Sequence, residues 1–203
     1  SAGGVTVGGS GTGTLTLAGT IVDINAFIAA SSVTFTTAAN ATAAVTLTVT
    51  TDDQGNSPAP AQSDVDTVTL NVTAVNDAPA GANATLTLAE DGAHVFVAAD
   101  FGFTDASDVP ANAFLAVRIA SLPLAGALTN NAVALNVGDF GSAADIALGR
   151  LVFAPVADAN GAGYASLTFQ VQDNGGTAPG VDLDPTPNTI TVDVTAVNDA
   201  PTA

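Results

Sequence analysis

Carboxylates are the only reactive side chains that this sequence holds in number: its 203 residues carry 19 acidic groups against two basic ones, for a formal charge of −17. Eighteen of the acidic residues are aspartate, and Glu90 is the one glutamate. Aspartate favours turns and short loops, where several oxygens can converge, whereas glutamate favours helices. Two chemistries use such groups. Calcium takes six to eight oxygen ligands at about 2.3–2.6 Å; a glycosidase needs two carboxylates about 5–10 Å apart across a cleft. Nothing in the sequence marks a cleft, so no enzymatic activity is expected.

Missing residues exclude other chemistries. With no cysteine and no lysine, the chain has no thiol nucleophile, disulfide framework, Cys-containing zinc site, Schiff-base lysine or Walker-type phosphate lysine. His94, the single imidazole, precedes Val95-Phe96-Val97 without a serine or second histidine nearby, and reads as a surface strand residue. The segment Gly9-Ser10-Gly11-Thr12-Gly13 has the look of a phosphate loop, but no lysine follows it and a hairpin loop is expected. Arg118 and Arg150 are the only cationic residues, too few to neutralise a nucleic acid or an anionic lipid surface. No apolar run reaches the roughly 18 residues that a membrane-spanning helix needs, so no membrane insertion is expected.

The elements that must position the carboxylates are set by repetition. Val72-Thr73-Ala74-Val75-Asn76-Asp77-Ala78-Pro79 recurs unchanged as Val194-Thr195-Ala196-Val197-Asn198-Asp199-Ala200-Pro201. Further back, Leu47-Thr48-Val49 lies over Leu167-Thr168-Phe169, Asp53 over Asp173 and Asp23-Ile24 over Asp145-Ile146. Two copies of one unit are therefore expected, over residues 1–79 and 80–203. Apolar residues alternate with polar ones through these stretches, as in Leu167, Phe169, Val171 and in Ile190, Val192, Val194, which is the pattern of half-buried strands. Strands are predicted at 85–89, 94–98, 114–120, 127–137 (a hairpin around Asn130-Asn131), 151–154, 166–172 and 189–197, with single helical turns at 23–27 and 143–146. Seven or eight short strands in about 120 residues suggest an all-β, immunoglobulin-like β-sandwich.

The first copy is short. Residues 1–79 match only the last two-thirds of the unit, so its opening strands are missing and a bare apolar face and sheet edge are predicted. Excision from a longer array accounts for this, and strands added by another chain are the alternative. The connector from Asn76 to Gly81 is too short and too proline-restricted for a flexible tether, so the units should follow end to end.

The repeated Ala-Val-Asn-Asp-Ala-Pro, with an Asp-Gly-type loop upstream, resembles the cadherin-like, VCBS-type tandem repeats of giant bacterial surface adhesins of the RTX type. That resemblance implies extracellular β-sandwich units with calcium at their junctions. It implies that Asn76 and Asp77 match the family's linker, that Asp105, Asp108 and the nearby Asn112 match an acidic loop facing the junction, and that Asp173 matches a further aspartate there. Glu90, Asp158 and Asn160 would belong with Asn198 and Asp199 at the opposite end, and Asp53 is the first copy's counterpart of Asp173. The first copy has Ala39-Asn40 where the second has Asp158-Ala159-Asn160, so one or two ions per junction are expected. The glycine-rich nonapeptides of RTX β-rolls are absent.

The expected function is thus a structural spacer on the bacterial cell surface, with Ca2+ as its cofactor and adjacent repeats of its own chain as partners. Like chains in a fibre form an alternative partnership, in which neighbours complete each other's sheets. A glycan- or protein-binding module is a further reading. Carbohydrate sites usually present aromatic platforms, however, and Tyr164 is the only Tyr or Trp.

Overall fold

The computed structural model describes residues 3–55 and 60–200; the Pro201 that closes the second repeat motif lies outside them. The chain is all-β, with several sheets and short helical segments. It packs as two compact units, Ser1–Ala41 and Thr42–Ala203. This division by packing falls inside the first copy of the repeat, whereas the 79–80 boundary is one of repetition.

In the first unit, β1 (Thr6–Gly8) and β2 (Thr16–Ala18) form an antiparallel hairpin around the glycine-rich segment, followed by α1 (Ile21–Ala29). The helix is longer than the single turn expected. Thr20 caps it by accepting the Asp23 N–H at 3.2 Å and donating its hydroxyl to the Asp23 carboxylate at 2.6 Å, which satisfies donors that a helix start leaves open.

The second unit opens with the hairpin β3 (Val45–Asp52) and β4 (Ser63–Leu70). Its main body follows: β5 (Ala84–Ala89), β6 (His94–Val95), a 3-10 turn (Ala98–Phe101), β7 (Phe114–Ser121), β8 (Ala127–Asn130), β9 (Val133–Ala134), β10 (Phe140–Ser142), α2 (Ala143–Ala147), β11 (Leu151–Ala154), β12 (Gly161–Asp173) and β13 (Asn188–Thr195). One sheet has the order β10-β7-β12-β13-β5 and the other β6-β11-β8-β9. All pairings are antiparallel except β13 with β5, which is parallel.

Both sheets supply one apolar core. Alternate residues of β12 (Leu167, Phe169, Val171) and β13 (Ile190, Val192, Val194) are buried with Val117, Ile119, Leu128, Leu151, Phe153 and the rings of Phe96 and Phe101. Fully burying each large side chain contributes about 1.5–3 kcal/mol, so this cluster dominates the stability of the main body. The edge of Phe101 meets Phe169 with centroids 5.0 Å apart.

Several strands differ from their predicted extent: β13 stops at Thr195 rather than 197, and β9 at Ala134 rather than 137. The strand at His94 stops after Val95 because the Asp100 carboxylate takes the Val97 N–H at 2.9 Å and contacts His94 Nε2 at 2.9 Å, starting the 3-10 turn. Strand β12 begins at Gly161, earlier than expected, and absorbs a register shift between Gly161 and Ala165. The β8–β9 turn is centred one residue later than predicted, with Asn131 and Ala132 at φ of 51° and 61°.

Candidate metal centre

The main oxygen-rich cluster forms where the connector after β4 meets the loops at one end of the five-stranded sheet. Asn76 is the centrepiece. Its backbone N–H donates to the Pro179 carbonyl at 3.2 Å, and its carbonyl accepts the Val181 N–H at 3.0 Å. Its side-chain amide donates to the Val181 carbonyl at 2.8 Å and to Asp173 Oδ1 at 3.1 Å. Gly180 permits this closeness: it sits at φ 127°, and a Cβ there would lie 2.1 Å from the Asn76 carbonyl oxygen. Gly175 leaves room for the side chain, since its Cβ would fall on Asn76 Oδ1.

Around Asn76 three carboxylates are linked through it and Asn112. Asp173, at the end of β12, is fully buried. Asp105, also buried, accepts the Asn112 N–H through Oδ2, while its Oδ1 is buried with no hydrogen-bond partner. Asp108 accepts the Asp77 N–H at 3.0 Å and the Asn112 amide at 3.1 Å, and the same amide donates to Asn76 Oδ1. Burial pushes the Asp173 carboxyl above its ordinary pKa; the Gly175 N–H and the Asn76 amide offset part of this, and the charges of Asp105 and Asp182 add to it.

No basic side chain of the chain answers this charge: Arg118 is bonded to Gln170 at 3.0 Å and Arg150 to Asp145 at 2.8 Å. Buried carboxylates without a counter-charge are costly, and an orphaned buried oxygen is rare enough to need an explanation. The donor set is all oxygen and amide, supplied by short side chains on loops, as a hard divalent cation requires. The group is thus made of the oxygens and amides of Asp105, Asp108, Asp173, Asn76 and Asn112.

A second group lies at the opposite end of the sheet. The Glu90 carboxylate, buried, accepts the Val197 N–H at 2.7 Å and the Asn160 amide at 2.7 Å. These two bonds, the backbone one first, hold its pKa below the ordinary range. Beside it, Asp91, Asp158 and Asp199 each offer a carboxylate oxygen, all within 4.8 Å of one another on the exposed surface. The Asp158 charge, followed by burial and the charges of Asp91 and Glu90, raises the pKa of Asp199. A raised pKa means that ionisation costs the folded state stability as pH climbs from the ordinary carboxylate value through the raised one. In chelator, Asp199→Asn should therefore raise the melting temperature at neutral pH and lose that advantage as the pH drops below the carboxylate range. Thermal scans across pH check this.

The structure brings Asn76, Asp105, Asp108 and Asp173 together through side chains, and Asp77 through its backbone N–H. It gathers Glu90, Asp158, Asn160 and Asp199 at the other end, where Asn198 donates to the neighbouring Asp199 carbonyl at 3.3 Å. Asp53 belongs at the tip of hairpin β3–β4, the far end from Asn76, where the Gln62 and Gly55 N–H groups, both at 2.9 Å, lower its pKa. One contributor was not anticipated. Asp91 joins through the Asp91-Gly92 turn after β5, whose Asp-Gly pair could have signalled it. Close by Asp173, Asp182 is bonded to Gln172 at 2.9 Å and adds its charge to the cluster.

No protein-family profile, curated protein or solved structure matches the chain.

Proposed function

We propose that the chain is a non-catalytic spacer segment of a bacterial surface protein, made of cadherin-like β-sandwich repeats whose junctions are stiffened by calcium outside the cell. The observation that carries this reading is the seating of Asn76, a connector residue, on buried Asp173 beside the orphaned Asp105 oxygen. One sequence segment thereby joins its fold to the loops of the next, at a point where negative charge accumulates. Without a cation the carboxylates repel and loosen that joint; bound calcium supplies the positive charge that draws their oxygens together. The shared core of the two main sheets supports the sandwich outline, and the repeated linker motif supports the tandem arrangement.

Extracellular calcium modules bind with dissociation constants of about 0.1–1 mM. A site of this strength would fill outside a cell and stay largely empty in cytosol, so the joint would stiffen only after export. At 10 mM calcium, a dissociation constant of about 0.1 mM corresponds to about 2.7 kcal/mol of added stability. For a chain of this size that is roughly 5–10 °C in melting temperature. Melting curves and small-angle scattering in calcium and in chelator provide the test. A higher melting temperature and a more extended, less variable envelope in calcium are expected; identical curves and envelopes would overturn the proposal.

A further inference from the structure

Hairpins β3–β4 and β12–β13 share one register. Leu47 faces Val68 as Leu167 faces Ile190, and Thr48 faces Thr67 as Thr168 faces Thr189. Both lead into a corner where an aspartate accepts the N–H of the glycine two residues on, Asp53 from Gly55 and Asp173 from Gly175.

Their surroundings differ. The outer edge of β12 is paired with β7 and that of β13 with β5, and their inward residues Leu167, Phe169, Ile190 and Val192 are buried. Among the described residues, β3 and β4 pair only with each other. Leu47, Val49 and Val68, which lie on one face of that hairpin, are 47%, 41% and 50% exposed. The strand ends earlier in the repeat: β13 runs to Thr195, but β4 stops at Leu70, and residues 71–73, which match 193–195, have no regular structure. An open edge next to a bare apolar face is a template for a further strand.

We propose that the free edge of β4 receives an added strand: a neutral, extended segment with apolar side chains at alternate positions, of the pattern Ala84-Thr85-Leu86-Thr87-Leu88-Ala89. It lies parallel to β4, as β5 lies along β13, and its Ala84-, Leu86- and Leu88-type positions fall beside Val68, Leu70 and Val72. The register follows from the pairs Ala84 with Ile190, Leu86 with Val192 and Leu88 with Val194. Charge selects the occupant. Asp64 and Asp66 sit on β4, so a second copy laid edge to edge along the same strand brings carboxylates against carboxylates, which is unfavourable. A segment of the β5 pattern carries no charge and presents only apolar and hydroxyl groups to that edge. Completion of the strand extends β4 through Thr73, as β13 extends through Thr195. The proposal does not rest on any ion at the Asn76 cluster.

Hydrogen exchange of the full chain in chelator, with and without a synthetic peptide of residues 80–89 with blocked ends at about 1 mM, reads the outcome amide by amide. Exchange at residues 66–73 is expected to slow at least about tenfold with the peptide, with no gain at 188–195, where β5 is already in place. The same peptide carrying Leu86→Asp and Leu88→Asp, and a scrambled peptide, should give no protection. Absence of slowing, or equal slowing with either control peptide, overturns the proposal. Slowing that grows with chain concentration in the absence of peptide also overturns it, because the occupant is then a second copy.

Discussion

Asp173→Asn is expected to leave the chain at least as stable as the unsubstituted protein in chelator and clearly less stable in calcium. The crossing of the two curves is the diagnostic feature. In chelator the substitution removes a buried charge that Asp105 and Asp182 repel, while an amide oxygen can still accept the Gly175 N–H and the Asn76 amide. In calcium it removes a charged ligand, and the binding contribution of about 2.7 kcal/mol at 10 mM ion and a dissociation constant of about 0.1 mM largely disappears. Melting temperatures of the two proteins at 0 and 10 mM calcium decide it. Were Asp173 only a hydrogen-bonding strut, the variant would lose stability equally in both conditions. Removal of the orphan by Asp105→Asn should follow the same pattern.

Gly180→Ala is expected to detach the connector altogether. A Cβ would sit 2.1 Å from the Asn76 carbonyl oxygen and 2.7 Å from its nitrogen, both backbone atoms, at a φ of 127° that other residues rarely adopt. Neither side of this contact can yield by a rotamer change. The variant loses the bridge between Asn76 and Gly180 with its flanking hydrogen bonds to Pro179 and Val181. Three hydrogen bonds at about 1 kcal/mol each, net of the water that replaces them, put the cost near 3 kcal/mol. A lower urea midpoint measures it, and calorimetric titration should show calcium affinity reduced at least about tenfold, because the Asn76 ligand is no longer held in place. Gly175→Ala probes the same seat from the side-chain direction and should be milder, since side-chain atoms can move aside.

Much of this architecture is legible in the residues because repetition and period-two alternation are long-range signals. Offsets of 122 and 120 residues identify Asn76 with Asn198 and Asp53 with Asp173, and the matched register of the two hairpins follows from them. The helical turns expected at 23–27 and 143–146 fall on α1 and α2, though α1 starts two residues earlier, at Ile21. Thr20 with Asp23 and Ser142 with Asp145 form the same cap in both copies, the latter with Ser142 accepting the Asp145 N–H at 3.0 Å. The meeting of Glu90 with Asn160 followed only from family resemblance, because 70 residues separate them and no local pattern links the two. Asp91 escaped because its role depends on the turn that Asp158 makes at φ 59°, a conformation not dictated by its residue type. The early end of the strand at His94 was hidden for a related reason. Apolar alternation continues through Phe96, whose N–H still donates to the Leu151 carbonyl, but the Asp100 side chain takes the Val97 N–H and turns the chain into the 3-10 segment.

The single parallel pairing, β5 beside β13, also fixes how the main body meets mechanical load. Because the two strands point the same way, the chain enters beside Asn76 and leaves beside Asp199, at opposite ends of the sheet. Tension along the chain therefore loads the contact between β5 and β13 in shear, across all six registered pairs from Ala84–Ile190 to Ala89–Thr195 at once. An antiparallel terminal pair would instead be peeled open one bond after another. Resistance to pulling then depends on the height of the unfolding barrier more than on equilibrium stability, and the topology places the strongest geometry along the line of force.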